Sequence, residues 1–481
     1  MQKIINQLIN KRYWIALFIF AIGMFFLNSH AGYPFRSLDR PVYQYVGKVM
    51  LSGQIPYRDV FDHKGPLVYF WHVLGTVGNL RWMELILWLS TLFYAFKLLL
   101  RLTNPLISLA TICFVFSSIQ VSRGIGNTED LSLFFLLIAL DTFCAYILKH
   151  HLTRTNGFLL GLSVAALLWI KPIHLIMPAV LGTYAFCIGC RRKDTTALYN
   201  ILLPAIASFS AVTASVISFF AYHHALGALW DKYAIFNFLY TQERTSWAGT
   251  DKAFFRFITF PLIFLPTASL LLLSDKAKPT HQLILPLYVA FVATFGMIIM
   301  PGRTPPYYFM IIIPLSLALI ALEIDALNTT GRKLVYALFG FISLLGMVNL
   351  YRAPYTLITD SEKALSTAIQ KEIPPHETFL DLTQSYGHFF LLSNRNSYTK
   401  WPITFGRTVQ SQIQSELREK GWPTYITSCR LSRNSNILNY YDVVYHNKDY
   451  TLLKMKPYPN LQSDTKAHSF PWLNMRCNFF K

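Results

Sequence analysis

Apolar runs of roughly 15–20 residues recur along most of the chain, from Tyr13 to past Leu334, each about as long as a bilayer core requires. A soluble protein of 481 residues would expose far more charge than the 14% found here beside 53% hydrophobic residues. About eleven spans are expected, beginning near Tyr13, Glu84, Pro105, Leu131, Gly157, Ile173, Ile201, Phe257, Leu283, Tyr307 and Leu334. The fifth is short. The first run, followed by Ser29-His30-Ala31, could also be the core of a signal peptide; the spans that follow favour an uncleaved anchor.

The net charge of +19 invites a nucleic-acid partner, but its distribution argues against one. Cations gather in alternate gaps: Lys3, Lys11 and Arg12; Lys97 and Arg101; Lys149 and Arg154; Arg191, Arg192 and Lys193; Lys276 and Lys278; Arg332 and Lys333. The other short gaps hold single cations, Arg123, Lys171 and Arg303. Cytoplasmic loops carry this excess, so the N-terminus is expected inside and, with an odd span count, the C-terminus outside.

Residues 1–350 therefore read as a transmembrane domain with two large outer loops, 28–83 and 222–256. Residues 351–481 read as a small extracytoplasmic α/β domain. Helices are expected over Ser361–Lys371, capped by Asp360 or Ser361, and over Thr408–Lys420, ending at Gly421; Tyr441–Tyr445 and Tyr450–Met455 form a hairpin. Six scattered cysteines are no disulfide framework, Cys187 and Cys190 are packing residues, and Cys429 could pair with Cys477 if that region lies outside. No repeat, P-loop or HExxH motif is present.

Most polar chemistry falls in the first loop, between Asp39 and Lys64, with Val42–Leu51 as a short helix on the membrane surface. Asp39, Asp59, Asp62, His63 and Lys64 are dense for a chain this poor in charge, and polar groups at a membrane boundary are costly unless solvated, paired or used. Each has a structural alternative: N-capping for Asp39, turn formation for Asp59 and Asp62, snorkelling for Lys64. As a set they suit sugar transfer from a polyprenyl phosphate. That reaction needs a base for the acceptor and cations for the departing phosphate, and no glycosidase-like acid.

The spacing of Asp39, Tyr43, the Gly53–Tyr57 turn and Lys64-Gly65-Pro66-Leu67 resembles the first outer loop of polytopic GT-C glycosyltransferases, and is similar to the protein mannosyltransferase and lipid A aminoarabinose transferase group. The resemblance implies an inverting transferase moving sugar from a polyprenyl-phosphate donor to a glycan, lipid or protein acceptor. Asp39 is then the base and Lys64 a donor-phosphate ligand, with Tyr57, Asp59, Asp62 and His63 in support. The chain departs from the group at Arg40, where an acid is usual, which puts a metal site built on an acidic pair in doubt. No cofactor is firmly implied; a divalent cation on Asp62 and His63 is the lesser alternative.

Three further segments join this reading. Gly126-Asn127-Thr128-Glu129-Asp130 opens the fourth span at the same boundary, either as a second acidic site or as a capped helix start. Lys171 stands near that boundary to meet phosphate or to snorkel. Arg303-Thr304-Pro305-Pro306-Tyr307-Tyr308 resembles the basic entry to a late span of the family, making Arg303 a phosphate ligand with bidentate geometry. The loop around Asp231, Lys232, Tyr233 and Trp247 could cover the site or lie in the interface. Two other functions compete: a lipid or solute transporter, and a non-catalytic lipid-binding scaffold of an envelope-synthesis complex.

Overall fold

The computed structural model describes residues 2–28, 39–117, 127–148, 152–242, 280–300, 306–352, 359–383, 387–402, 407–429 and 436–457. Its helices are α1 (Gln2–Asn28), α2 (Arg40–Leu51), α3 (Pro66–Gly78), α4 (Leu80–Leu102), α5 (Pro105–Phe116), α6 (Thr128–Ile147), α7 (Arg154–Ile170), α8 (Ile176–Arg192) and α9 (Thr195–Tyr222). A helical segment over 226–242 follows, then α10 (His281–Ile299), α11 (Ile313–Ala326) and α12 (Thr329–Arg352).

Seven helices among the described residues are long and apolar enough to cross a membrane: Leu80–Leu102, Thr128–Ile147, Pro172–Arg192, Tyr199–Tyr222, Gln282–Ile299, Tyr307–Ala326 and Thr329–Val348. Pro105–Phe116 and Arg154–Ile170 are shorter apolar helices, and α1 covers the first expected run. The span expected near Phe257 lies outside the described residues, so the structure does not establish a count of eleven.

Burial sorts these helices. α6 and α11 are enclosed nearly all round and form the centre of the bundle. α9 and α12 turn Leu203, Ile206, Leu334, Phe341 and Leu344 outward, the apolar surface that lipid requires of an outer helix. α7 and α9 meet almost backbone to backbone: a Cβ on Gly161 would stand 1.9 Å from the Ala205 carbonyl oxygen, so only glycine permits the approach. One buried charge inside the bundle, Asp141 on α6, is held by Lys97 at 3.0 Å and Arg101 at 2.5 Å from α4. An unpaired carboxylate there would be expensive.

The C-terminal part contains α13 (Asp360–Glu372), β1 (Thr378–Asp381), α14 (His388–Ser393), β2 (Asn396–Ser397), α15 (Arg407–Lys420), β3 (Tyr425–Cys429), β4 (Tyr441–His446) and β5 (Tyr450–Met455). The sheet order is β2-β1-β3-β5-β4; β1 pairs in parallel with β2 and β3, and β5 runs antiparallel to β3 and β4. Both helices and the hairpin match the sequence reading, but the cap of α13 is Thr359, in a reciprocal capping box with Glu362.

This domain sits directly on α2. The Tyr45 hydroxyl accepts from the Ser397 backbone N–H at 2.8 Å, Tyr45 and Phe390 rings lie 5.1 Å apart, and the Lys48 ammonium reaches Asn394. Val42, Tyr45 and Val46 share one core with Phe379, Phe389 and Phe390. The expected surface helix is therefore buried between bundle and sheet: its apolar residues on both faces find partners, where a lipid surface would have covered only one.

Candidate functional site: a polar cluster at the mouth of an apolar cavity

Asp39 occupies the N-cap position of α2, yet its side chain makes no capping hydrogen bond. Its Oδ2 instead accepts from the Tyr307 hydroxyl at 3.1 Å. Tyr307 belongs to the 3₁₀ turn Pro306–Ile312 that leads into α11. Capping, the plainer explanation of this aspartate, thus leaves its carboxylate unaccounted for.

The loop between α2 and α3 is pinned by a tight turn. Tyr57 has φ 70 and its N–H bonds the Val60 carbonyl at 2.7 Å. Asp59 accepts from the Ile55 N–H at 2.8 Å and takes Arg58 through two bonds of 2.8 Å, so its carboxylate is spent on the turn. The Tyr57 hydroxyl donates to the Lys64 carbonyl, and the Tyr69 hydroxyl lies 3.1 Å from both that carbonyl and Asp62 Oδ2.

These bonds aim three consecutive side chains at one another. His63 Nδ1 is 3.2 Å from Asp62 Oδ1, and His63 Nε2 is 2.8 Å from the Lys64 ammonium. Burial, then the neighbouring ammonium, holds the His63 pKa below its ordinary value against the pull of Asp62. A neutral imidazole fits both contacts: Nδ1–H donates to the carboxylate, and Nε2 accepts from Lys64. Burial alone would lower the Lys64 pKa; the charges of Asp39, Asp62 and Glu129 outweigh it and keep the group ionised. Burial likewise opposes ionisation of Asp62, and the His63 hydrogen bond and the Lys64 charge overcome it.

Gly65 brings this loop to the end of α7. Its N–H bonds the Ile170 carbonyl at 3.0 Å, and a Cβ there would fall 1.9 Å from the Trp169 carbonyl oxygen. Lys171, the next residue, is ion-paired to Glu129 Oε1 at 2.6 Å and lies 3.9 Å above the Tyr308 ring. Glu129 Oε2 accepts from the Thr128 hydroxyl at 2.9 Å, and His174 approaches Oε1 at 3.8 Å. Asp39, Asp62, His63, Lys64, Glu129 and Lys171 thus form one polar cluster. Tyr57 and Asp59 build the turn beneath it, and Asp130 lines a separate small pocket. Arg303 lies outside the described residues.

A cavity of about 1040 Å³ opens beside the cluster. His63, Lys171 and Asn237 supply its polar edge, and Trp169, Ile217, Leu229, Tyr233, Met297 and Tyr308 much of its apolar wall. The segment 226–242 closes one side; its π-helical turn, Trp230–Ile235, presents Tyr233 to Trp169. One turn on, the Asn237 amide donates to the His63 carbonyl at 2.7 Å. Sequence reasoning missed Tyr307, Asn237 and His174 as parts of the site. His174 stands three residues beyond Lys171 in a basic, proline-marked junction, a signal that could have found it. Among the described residues, no group of three or more His, Cys, Asp or Glu is arranged to hold a metal ion.

The helices and their arrangement describe a polytopic integral membrane protein with a GT-C-like fold, the fold that the sequence resemblance implied. The chain superimposes on the crystal structure of ArnT from Cupriavidus metallidurans bound to undecaprenyl phosphate, with a TM-score of 0.62 and 14% identity, over 92% of this chain and 97% of that one. The apo state of the same protein gives a TM-score of 0.58 at 13% identity, over 92% and 98%. At such identities the likeness is one of fold. Residues 42–334, more than half of the chain, match the Competence-induced Ccs4 N-terminal domain family, and the chain belongs to that family. No curated protein matches it in sequence.

Proposed function

We propose that this protein is an inverting membrane glycosyltransferase that moves a sugar from a polyprenyl-phosphate donor to an extracytoplasmic glycan, lipid or protein. The observation that carries this reading is the junction of two environments. An apolar cavity of about 1040 Å³ ends at Lys171 and His63, beside the Lys64 ammonium, which lies within electrostatic reach of the Asp39 carboxylate. A lipid with a long apolar tail and an anionic head asks for that combination. The structural neighbour that holds undecaprenyl phosphate supports the same class of partner.

In this mechanism Asp39 removes the proton from the acceptor hydroxyl or amine. The acceptor atom bonds to the anomeric carbon from the face opposite the phosphate. The carbon–oxygen bond to phosphate breaks with its electron pair, and Lys64, Lys171 and Arg303 stabilise the departing anion. Tyr307 holds the Asp39 carboxylate, and the Asp62–His63 pair fixes Lys64.

Residues 1–350 form the catalytic membrane domain, with loops 28–83 and 222–256 outside, the N-terminus cytoplasmic and residues 351–481 an outer domain, in a bacterial plasma membrane. Disulfide-bonded Cys429 is in keeping with an oxidising compartment for that domain. Asp39→Asn should leave the protein inserted and folded while lowering transfer by about 10²–10⁴-fold. Envelope glycans and accumulated lipid-linked sugars, compared between cells carrying wild type, the variant and no protein, measure this; undiminished transfer in the variant would remove Asp39 as the base.

A further inference from the structure

A second, much smaller pocket of about 20 Å³ lies between α2, α3, α4 and the start of α6. Tyr43, His72 and Asn127 line it, at 1%, 4% and 5% exposure. The Tyr43 hydroxyl, His72 Nδ1 and both polar atoms of the Asn127 amide are buried there without a hydrogen-bond partner among the described residues. Native interiors avoid such a concentration of unpaired polar atoms unless something else satisfies them.

The chemistry of the lining selects the ligand. Burial and the nearby Arg40 guanidinium push the His72 pKa down to about 3, so this imidazole is neutral, with one nitrogen donating and one accepting. A phenol and a carboxamide also do both. The charges at the wall are engaged: Glu84 pairs with Arg40 at 2.7 Å, and Asp130 has interactions of its own. A metal cation would want acceptors only and an anion donors only, whereas water offers two of each. The volume suits a single water, which needs roughly 10–15 Å³ by this measure.

We propose that this pocket is a buried water site shared by Tyr43, His72 and Asn127. It bolts together the three segments that carry the polar cluster: α2 behind Asp39, α3 behind Lys64 and α6 around Glu129. The three residues are positioning residues and touch no substrate. This inference stands independently of the transfer reading.

Three measurements on the full-length protein test it. A wild-type map near 2 Å resolution should show a peak about 2.7–3.2 Å from at least three of the four polar atoms. An empty pocket, or a peak held by contacts of about 2.0–2.4 Å as a metal ion would be, overturns the water. Thermal unfolding of Tyr43→Phe, His72→Leu, Asn127→Leu and their pairs should show strong sub-additivity. Tyr43 and His72 also touch ring to ring at 5.9 Å, a contact that Tyr43→Phe keeps, but the polar atoms meet only through the water, so the second removal deletes a group already stranded. Additive shifts overturn the shared ligand. His72→Leu should also weaken undecaprenyl phosphate binding several-fold, with recovery in His72→Gln; unchanged binding in His72→Leu refutes the positioning role. If wild type fails to bind that lipid, the transfer reading falls, while the map and the unfolding series still decide the water site.

Discussion

Replacing Glu129 by Gln strands the Lys171 ammonium, and the structure sets the size of the effect. The two side chains are 2.6 Å apart, with Glu129 at 1% and Lys171 at 19% exposure. At an effective dielectric of about 20, their gross attraction is about 6 kcal/mol. Most of that offsets the desolvation of both groups, and removing one partner of a buried pair costs about 3–5 kcal/mol in net terms. Two features reduce the figure here. Lys171 keeps some access to water, and the Tyr308 face 3.9 Å away retains about 0.5–2 kcal/mol of cation–π attraction. A loss of about 2–3 kcal/mol is therefore expected for Glu129→Gln, and a similar one for Lys171→Met, which leaves the deeper carboxylate with only the Thr128 hydroxyl and His174. The double variant removes both charges and should be less destabilised than the two singles together, by about 1–3 kcal/mol. Unfolding of the four proteins in one detergent measures this coupling. If the single losses add, the contact is incidental, and the link it forms between α6 and the end of α7 cannot position the site.

Gly65→Ala places a methyl 1.9 Å from the Trp169 carbonyl oxygen, so the loop must move away from α7. The protein should lose about 1–3 kcal/mol and bind undecaprenyl phosphate at least tenfold more weakly by native mass spectrometry, because Lys64 no longer shares a site with Lys171; wild-type affinity would show that the close approach does not matter. Acid should also destabilise the protein. His63 and His72 are both held below the ordinary imidazole pKa, so as pH falls through about 6.5 the unfolded chain takes up protons that the folded one does not. Each group then withdraws up to about 1.4 kcal/mol per pH unit until its folded pKa, about 3 for His72, is reached. Melting temperatures between pH 7 and pH 5 should fall less steeply in His72→Leu than in wild type; equal slopes would mean that His72 does not titrate on unfolding.

Helix placement was legible because span length and loop charge are local properties of the chain. The first loop was legible because Asp39, Asp62, His63 and Lys64 crowd one short stretch of a charge-poor sequence. Contacts between distant segments were not. Tyr307 reaches Asp39 across 268 positions, Ser397 meets Tyr45 across 352, and Asn237 meets His63 across 174. Hydropathy carries no trace of such pairings, since each partner is an ordinary residue of its own helix or strand. The burial of α2 was invisible for the same reason: an apolar face opposite a membrane looks identical in sequence whether lipid or a sheet covers it.

Arg40 shows how far one such contact changes a reading. In sequence it stands where the resembling transferases usually carry an acid, which puts a metal site built on an acidic pair in doubt. In the fold its guanidinium pairs with Glu84 of α4 at 2.7 Å, with both side chains at 10% exposure or less. The two charges cancel within that pair, so the replacement adds no net positive charge beside Asp39. The Asp39 carboxylate is left bonded to Tyr307 and within electrostatic reach of Lys64, with no second acid adjacent to it in the chain. A carboxylate beside a second acid is suited to sharing a cation; one opposed to an ammonium is suited to taking a proton while that ammonium meets a phosphate. The departure at Arg40 therefore weighs against a metal site built on an adjacent acidic pair, and leaves Asp39 and Lys64 the roles proposed above.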